Sequence, residues 1–78
     1  MKIEAKYFGV IAELIGCKDE KIDLDFDGEF NLRDFFEKKY PKVTEVNYKI
    51  AVNQQITDNI QSTDGEAEVA LLPPFAGG

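Results

Sequence analysis

The residues best equipped for chemistry stand at the end of the sequence, Leu71-Leu72-Pro73-Pro74-Phe75-Ala76-Gly77-Gly78. Glycine has no Cβ, so Gly77 and Gly78 can thread a narrow channel and leave their carbonyl carbons open to attack from any side. At ordinary glycine usage a Gly-Gly ending arises by chance in roughly one chain in 200. A frayed terminus of small residues is the plain alternative. Against it, this tail follows directly on a strand-like apolar run, and two prolines stiffen its exit. A terminal carboxylate, with a usual pKa of ~3.3–3.7, is ionised at neutral pH and is a poor electrophile. Acyl chemistry therefore requires activation by another protein, most simply as a mixed anhydride with AMP. Attack by sulfur then yields a thiocarboxylate, and attack by a lysine yields an amide. That is the chemistry of a carrier.

The rest of the chain offers no catalytic machinery. It has no histidine, the commonest general base and metal ligand. Its one cysteine, Cys17, gives no zinc-type cluster and no internal disulfide, and suits a reducing cytoplasm. Cys17 follows Gly16 at a helix end, where the negative pole disfavours a thiolate. Asp23, Asp25, Asp27 and Glu29 fall at alternate positions, which reads as a solvated face; a hard-cation site needs more convergence, so no metal site is assigned. A net charge of −6 argues against nucleic acid, whose phosphates need clustered Lys and Arg. No apolar run approaches the ~20 residues of a membrane span, so no membrane role is expected. With 78 residues and nine aromatics, six Phe and three Tyr, the expectation is one small cored domain.

The elements that must position the tail follow from periodicity. Lys2 to Tyr7 alternates charged and apolar, placing Ile3, Ala5 and Tyr7 inward. Phe8 then falls on the charged face, either past the strand's end or as an aromatic anchor for a partner. Ile11, Leu14 and Ile15 are spaced for a short helix with Gly16 at its C′ position. Lys21 to Phe26 alternates as a second strand, antiparallel to the first, before an Asp27-Gly28 turn. Asn31 is placed to cap a helix carrying Leu32, Phe35, Phe36 and Tyr40 on one stripe, stopped by Pro41. Tyr48 to Asn53 reads as a third strand, with a short edge strand over 54–57. Thr63-Asp64-Gly65 is a turn, and Glu66 to Leu72 is the last strand. There Ala67, Val69 and Leu71 share one face, while Leu72 joins Phe8 as an apolar residue on the polar one. The pattern predicts an α+β domain over 1–72, a mixed sheet around one main helix with a wet outer face, and an extended tail over 73–78.

The whole chain resembles the small, sulfur-carrier subunit of molybdopterin synthase, a ubiquitin-like β-grasp family. The likeness is carried by Tyr7-Phe8-Gly9 leading into Ala12-Glu13-Leu14-Ile15-Gly16, by Ala51-Val52-Asn53-Gln54, by Asp64-Gly65-Glu66, and by the ending Pro73-Pro74-Phe75-Ala76-Gly77-Gly78. Ala12 departs from the family, which often has Arg there, so a partner contact by that side chain is not carried over. The resemblance implies a β-grasp fold of four to five strands and no bound cofactor. It implies that an E1-like adenylating enzyme, using ATP and magnesium, forms an acyl-adenylate on Gly78. A sulfur-donating persulfide enzyme then makes the thiocarboxylate. The tail enters the large synthase subunit, in an assembly of two small and two large chains, and sulfur passes to a cyclic pterin precursor. Catalytic side chains belong to the large subunit. Gly78 is then the reacting group, Gly77 keeps the tail thin, Pro73, Pro74, Phe75 and Ala76 direct it, and Phe8 and Leu72 form a docking patch. Two other roles fit a Gly-Gly carrier: the sulfur carrier of thiamine thiazole synthesis, and a ubiquitin-like modifier attached to lysines.

Overall fold

The computed structural model describes residues 1–62 and 65–73. Among these, five strands make a mixed sheet. β1 (Lys2–Tyr7) pairs antiparallel with β2 (Asp19–Asp23) and parallel with β7 (Ala67–Leu72). β7 pairs antiparallel with β4 (Lys49–Val52), which pairs with the two-residue β5 (Gln55–Ile56), giving the order β2-β1-β7-β4-β5. A separate two-stranded ribbon joins β3 (Glu29–Asn31) to β6 (Asn59–Gln61). Helix α1 (Gly9–Ile15) follows β1, and helix α2 (Leu32–Lys39) leads into a 3₁₀ turn over Pro41–Glu45.

One core lies between the inner sheet face and α2. Ile3, Ala5 and Tyr7 of β1, Val69 and Leu71 of β7, and Ile50 and Val52 of β4 meet Leu32 and Phe36, with Ile11, Leu24, Val43, Tyr48 and Ile60 closing the edges. The alternation expected for β1 and β7 is therefore present, and the aromatic stripe of α2 serves packing: Tyr7 and Phe36 meet edge to face at 6.1 Å. The Asn31 side chain accepts a hydrogen bond from the Asp34 amide at 2.9 Å, the cap that starts α2. Gly16 ends α1 in the left-handed conformation with its N–H on the Ala12 carbonyl.

Apart from shifts of one residue at the ends of β4, β5 and β7, three features differ from the sequence reading. β2 lies earlier, over Asp19–Asp23, because Glu20 takes the inward position opposite Ala5 and finds hydrogen-bond donors there. Pro41 does end the α-helix, yet the chain continues as the 3₁₀ turn, where a proline in the first turn removes no needed donor. The β3–β6 ribbon was not foreseen, since three residues carry too little alternation to read. Thr63 and Asp64, half of the turn expected before the last strand, lie outside the described residues. Gly65, its other member, has φ +71°.

Candidate functional site

The outer sheet face divides into two halves. On one, Glu4 and Glu68 stand opposite each other on β1 and β7, and Lys6 reaches both, its Nζ 3.7 Å from Glu4 and 3.2 Å from Glu68. The pairing relieves the carboxylate repulsion, and the hydrogen bond to Glu68 is the main cause that raises the Lys6 amine above its usual value. On the other half the register sets Ala70 against Ala51, and Ala51 against Ile56. Ile56 is 62% exposed, and Ala51 is buried although it lies on this face. This half is thus apolar apart from Lys49, which stands opposite Leu72.

The central strands end beside this apolar half. The parallel ladder closes at Tyr7 and Leu71, so Phe8 and Leu72 are the next residues out on the two chains. Phe8 is 44% exposed and serves as the N-cap residue of α1, with no side-chain cap bond. Leu72 is half-buried, and so is Pro73, where the described part of the tail stops. Pro74, Phe75, Ala76, Gly77 and Gly78, named above as the rest of the tail and its reacting end, lie outside the described residues. Two exposed apolar residues were missed as surface candidates. Val10 opens α1. Ile56 could have been found from the Asn53-Gln54 turn, which sets its parity: both residues have positive φ, +48° and +72°, the geometry of a two-residue hairpin.

Away from this face the polar side chains hold the fold. Tyr7 and Tyr40 both donate their hydroxyls to Glu20 Oε2, Tyr7 at 2.6 Å. Burial first, and then the bond to Glu20, push the Tyr40 hydroxyl up to about 12, and Tyr7 moves in the same direction. Arg33 grips Asp58 through two hydrogen bonds, of 2.8 and 3.1 Å, donates to the Tyr48 carbonyl, and lies over the Tyr48 ring at 4.4 Å from its centre. Tyr48 donates in turn to Glu37. The Cys17 thiol is raised by partial burial and then by Glu20 and Asp19, which opposes thiolate formation. Asp23, Asp25, Asp27 and Glu29 are all exposed. Among the described residues no cluster could hold a metal ion, and no helix is long and apolar enough to cross a membrane.

The sheet order, with its parallel central pair and the last strand at its centre, is that of a ubiquitin-like β-grasp protein. The chain belongs to the ThiS family, whose model matches residues 5–78. Among solved structures it is similar to the putative molybdopterin converting factor subunit 1 of Pyrococcus furiosus, at 23% identity and TM-score 0.73, over 96% of this chain and 99% of that one. It is also similar to small archaeal modifier protein 1 of Haloferax volcanii, at 22% identity and TM-score 0.71, over the full length of both. A chain from the complex of subunits 1 and 2 of the molybdopterin-converting factor of Helicobacter pylori matches at 27% identity and TM-score 0.63, again over the full length of both. No curated protein matches by sequence.

Proposed function

We propose that this protein is the sulfur-carrying subunit of a molybdopterin synthase. The observation that carries the reading is the end-to-end likeness to a chain of the Helicobacter pylori converting-factor complex, set beside an apolar half-face at the root of a Pro-Pro-x-x-Gly-Gly tail. The Gly78 carboxylate attacks the α-phosphorus of ATP held by an E1-like adenylating enzyme, and pyrophosphate leaves. The outer sulfur of a persulfide then adds to the Gly78 carbonyl and AMP departs, leaving an acyl disulfide. A second thiol attacks the donor's sulfur, forms a disulfide with the donor and releases the thiocarboxylate. The tail, Pro73 to Gly77, carries that group into the large subunit, where sulfur passes to the pterin precursor. This chain supplies the terminus and the docking face. Its own side chains move no proton in the reaction.

Phe8, Leu72 and Ile56 form the contact with the large subunit. They present apolar area on a face that is otherwise charged, and an interface core favours aromatic and aliphatic groups over charges. Phe8 and Leu72 stand at the root of the tail, with Ile56 across β4 on the same face, so docking and insertion of the tail reinforce each other.

The test is intact mass and C-terminal fragmentation of the protein purified from its host. One sulfur in place of one oxygen, localised to Gly78, supports the carrier. Gly78 found in isopeptide linkage to lysines moves the assignment to a protein modifier. Sulfur at Gly78 with delivery to a thiazole precursor instead of a pterin moves it to the thiamine pathway. A variant with one residue appended after Gly78 is expected to lose sulfur loading entirely.

A further inference from the structure

Two residues beyond the last pair of the central ladder, Gly9 and Pro73 meet. A Cβ placed on Gly9 would stand 3.2 Å from Pro73 Cγ and 3.8 Å from Pro73 Cβ, and Gly9 itself has φ +56°. Each fact selects glycine. Positive φ disfavours a side chain on the backbone's own account, and the proline ring fills the space that a side chain would take. Gly16, Gly28 and Gly65 also have positive φ, but a Cβ on any of them would meet nothing within 4 Å. Those three serve their turns. Among the described glycines, Gly9 alone answers to another part of the chain.

Pro73 is suited to rest there. Its ring fixes φ near −65°, and its Cδ holds Leu72 extended. It has no N–H to prolong the ladder, so the chain leaves the sheet as a short stiff piece seated on bare backbone. If the five residues beyond it were extended, at most ~17 Å, a tilt of about 10° at the base would displace the far end by about 3 Å. Reacting groups tolerate far less, with a misplacement of ~1 Å able to slow a reaction about 100-fold.

We propose that Gly9 is a positioning residue for the tail: it forms the notch on which Pro73 seats, and the seat sets the direction in which Pro74 to Gly78 leave the domain. The effect on loading rests on the carrier reading given above; the seat itself does not.

The test uses the full chain with Gly9→Val, which adds a branched side chain at positive φ and drives it into the Pro73 ring. Pro73→Gly removes the same contact from the other side and serves if the first variant does not fold. Residual dipolar couplings of the Phe75, Ala76 and Gly77 amides are compared with those of Ile3, Ala5 and Val69. The expected result is changed tail couplings with unchanged core couplings in both variants. Tail couplings identical to wild type would overturn the proposal. In ATP–pyrophosphate exchange with an E1-like adenylating enzyme, both variants should lose about tenfold or more in kcat while KM for the carrier holds, because each redirects the tail and leaves the body of the domain unchanged. An unchanged kcat despite altered couplings would overturn the catalytic consequence. If the wild-type chain is not adenylated at all while the couplings respond, the carrier reading fails and the seat stands.

Discussion

Leu71 and Leu72 are neighbours in the chain and face opposite ways. Leu71 is 0% exposed among Ile3, Ile50, Phe36 and Val69, whereas Leu72 is half-buried on the outer face, one step from an exposed Phe8. The first leucine belongs to the core, and the second to the proposed docking face. The contrast extends across the sheet: the inner face is apolar except at Glu20, while the outer face is split between a Glu4–Lys6–Glu68 cluster and the Ala70–Ala51–Ile56 row. An inner position is committed by burial, and an outer one by what it can still bury.

Substitutions on the two faces should therefore separate stability from binding. Leu71→Ala is expected to cost about 3 kcal/mol, and Phe36→Ala about 4 kcal/mol, from lost burial and the cavity left behind. A domain of this size has roughly 4–12 kcal/mol in total, so urea melts should show either variant losing about a quarter of it or more. Phe8→Asp, Leu72→Asp and Ile56→Asp should each shift the urea midpoint little, yet weaken binding to the large subunit by about 2 kcal/mol, roughly 30-fold, in calorimetric titrations. Equal losses of stability and binding would erase the distinction and return these residues to the core.

Smaller effects sharpen the inner side. Raising the pH tests the hydroxyls of Tyr7 and Tyr40. Each has a folded pKa above the ordinary 10.0, so the folded chain keeps its protons while the unfolded chain loses them. Their contribution to stability is complete below pH 10 and falls as pH rises toward about 12, where Tyr40 itself ionises. Melting temperature followed from pH 9 upward should decline with that onset, and Glu20→Gln should flatten the decline. Smallest is Arg33→Ala. Its partner Asp58 is partly in water, so the loss should be about 1 kcal/mol, seen as a modest shift in the urea midpoint.

What could be read in the sequence and what could not divide along the same line. Ile3, Ala5 and Tyr7, and again Ala67, Val69 and Leu71, announce their face by strict alternation, because a buried side must be apolar at every second residue. Asn31 and Gly16 were legible for a local reason: each meets a need of its own helix end. Glu20 was not. A carboxylate at an inward position looks like the end of a strand until two tyrosines, 13 and 20 residues away, are seen to donate to it. Ile56 was read as part of an edge strand, but its face depends on two positive φ angles at Asn53 and Gln54, residues less suited to that turn than Asn-Gly. Asn53 earns its place differently. It trades hydrogen bonds with Glu68, donating from its amide at 2.8 Å and accepting at its side-chain oxygen at 3.0 Å. The tail's motif was plain in the letters, while its seat on Gly9 required coordinates, since nothing in Tyr7-Phe8-Gly9 points to residue 73.

The place of β7 in the sheet has a consequence for biosynthesis. It is the middle strand of the five and the last of them in the sequence, flanked by β1 and β4. A nascent chain that has not yet released Ala67 to Leu72 from the ribosome holds two half-sheets with a gap between them, and contacts of such long sequence separation form late. Folding and completion of the chain are therefore linked in time: a polypeptide cut short before residue 67 has no centre to its sheet, and every copy that folds has already been translated up to the root of its tail.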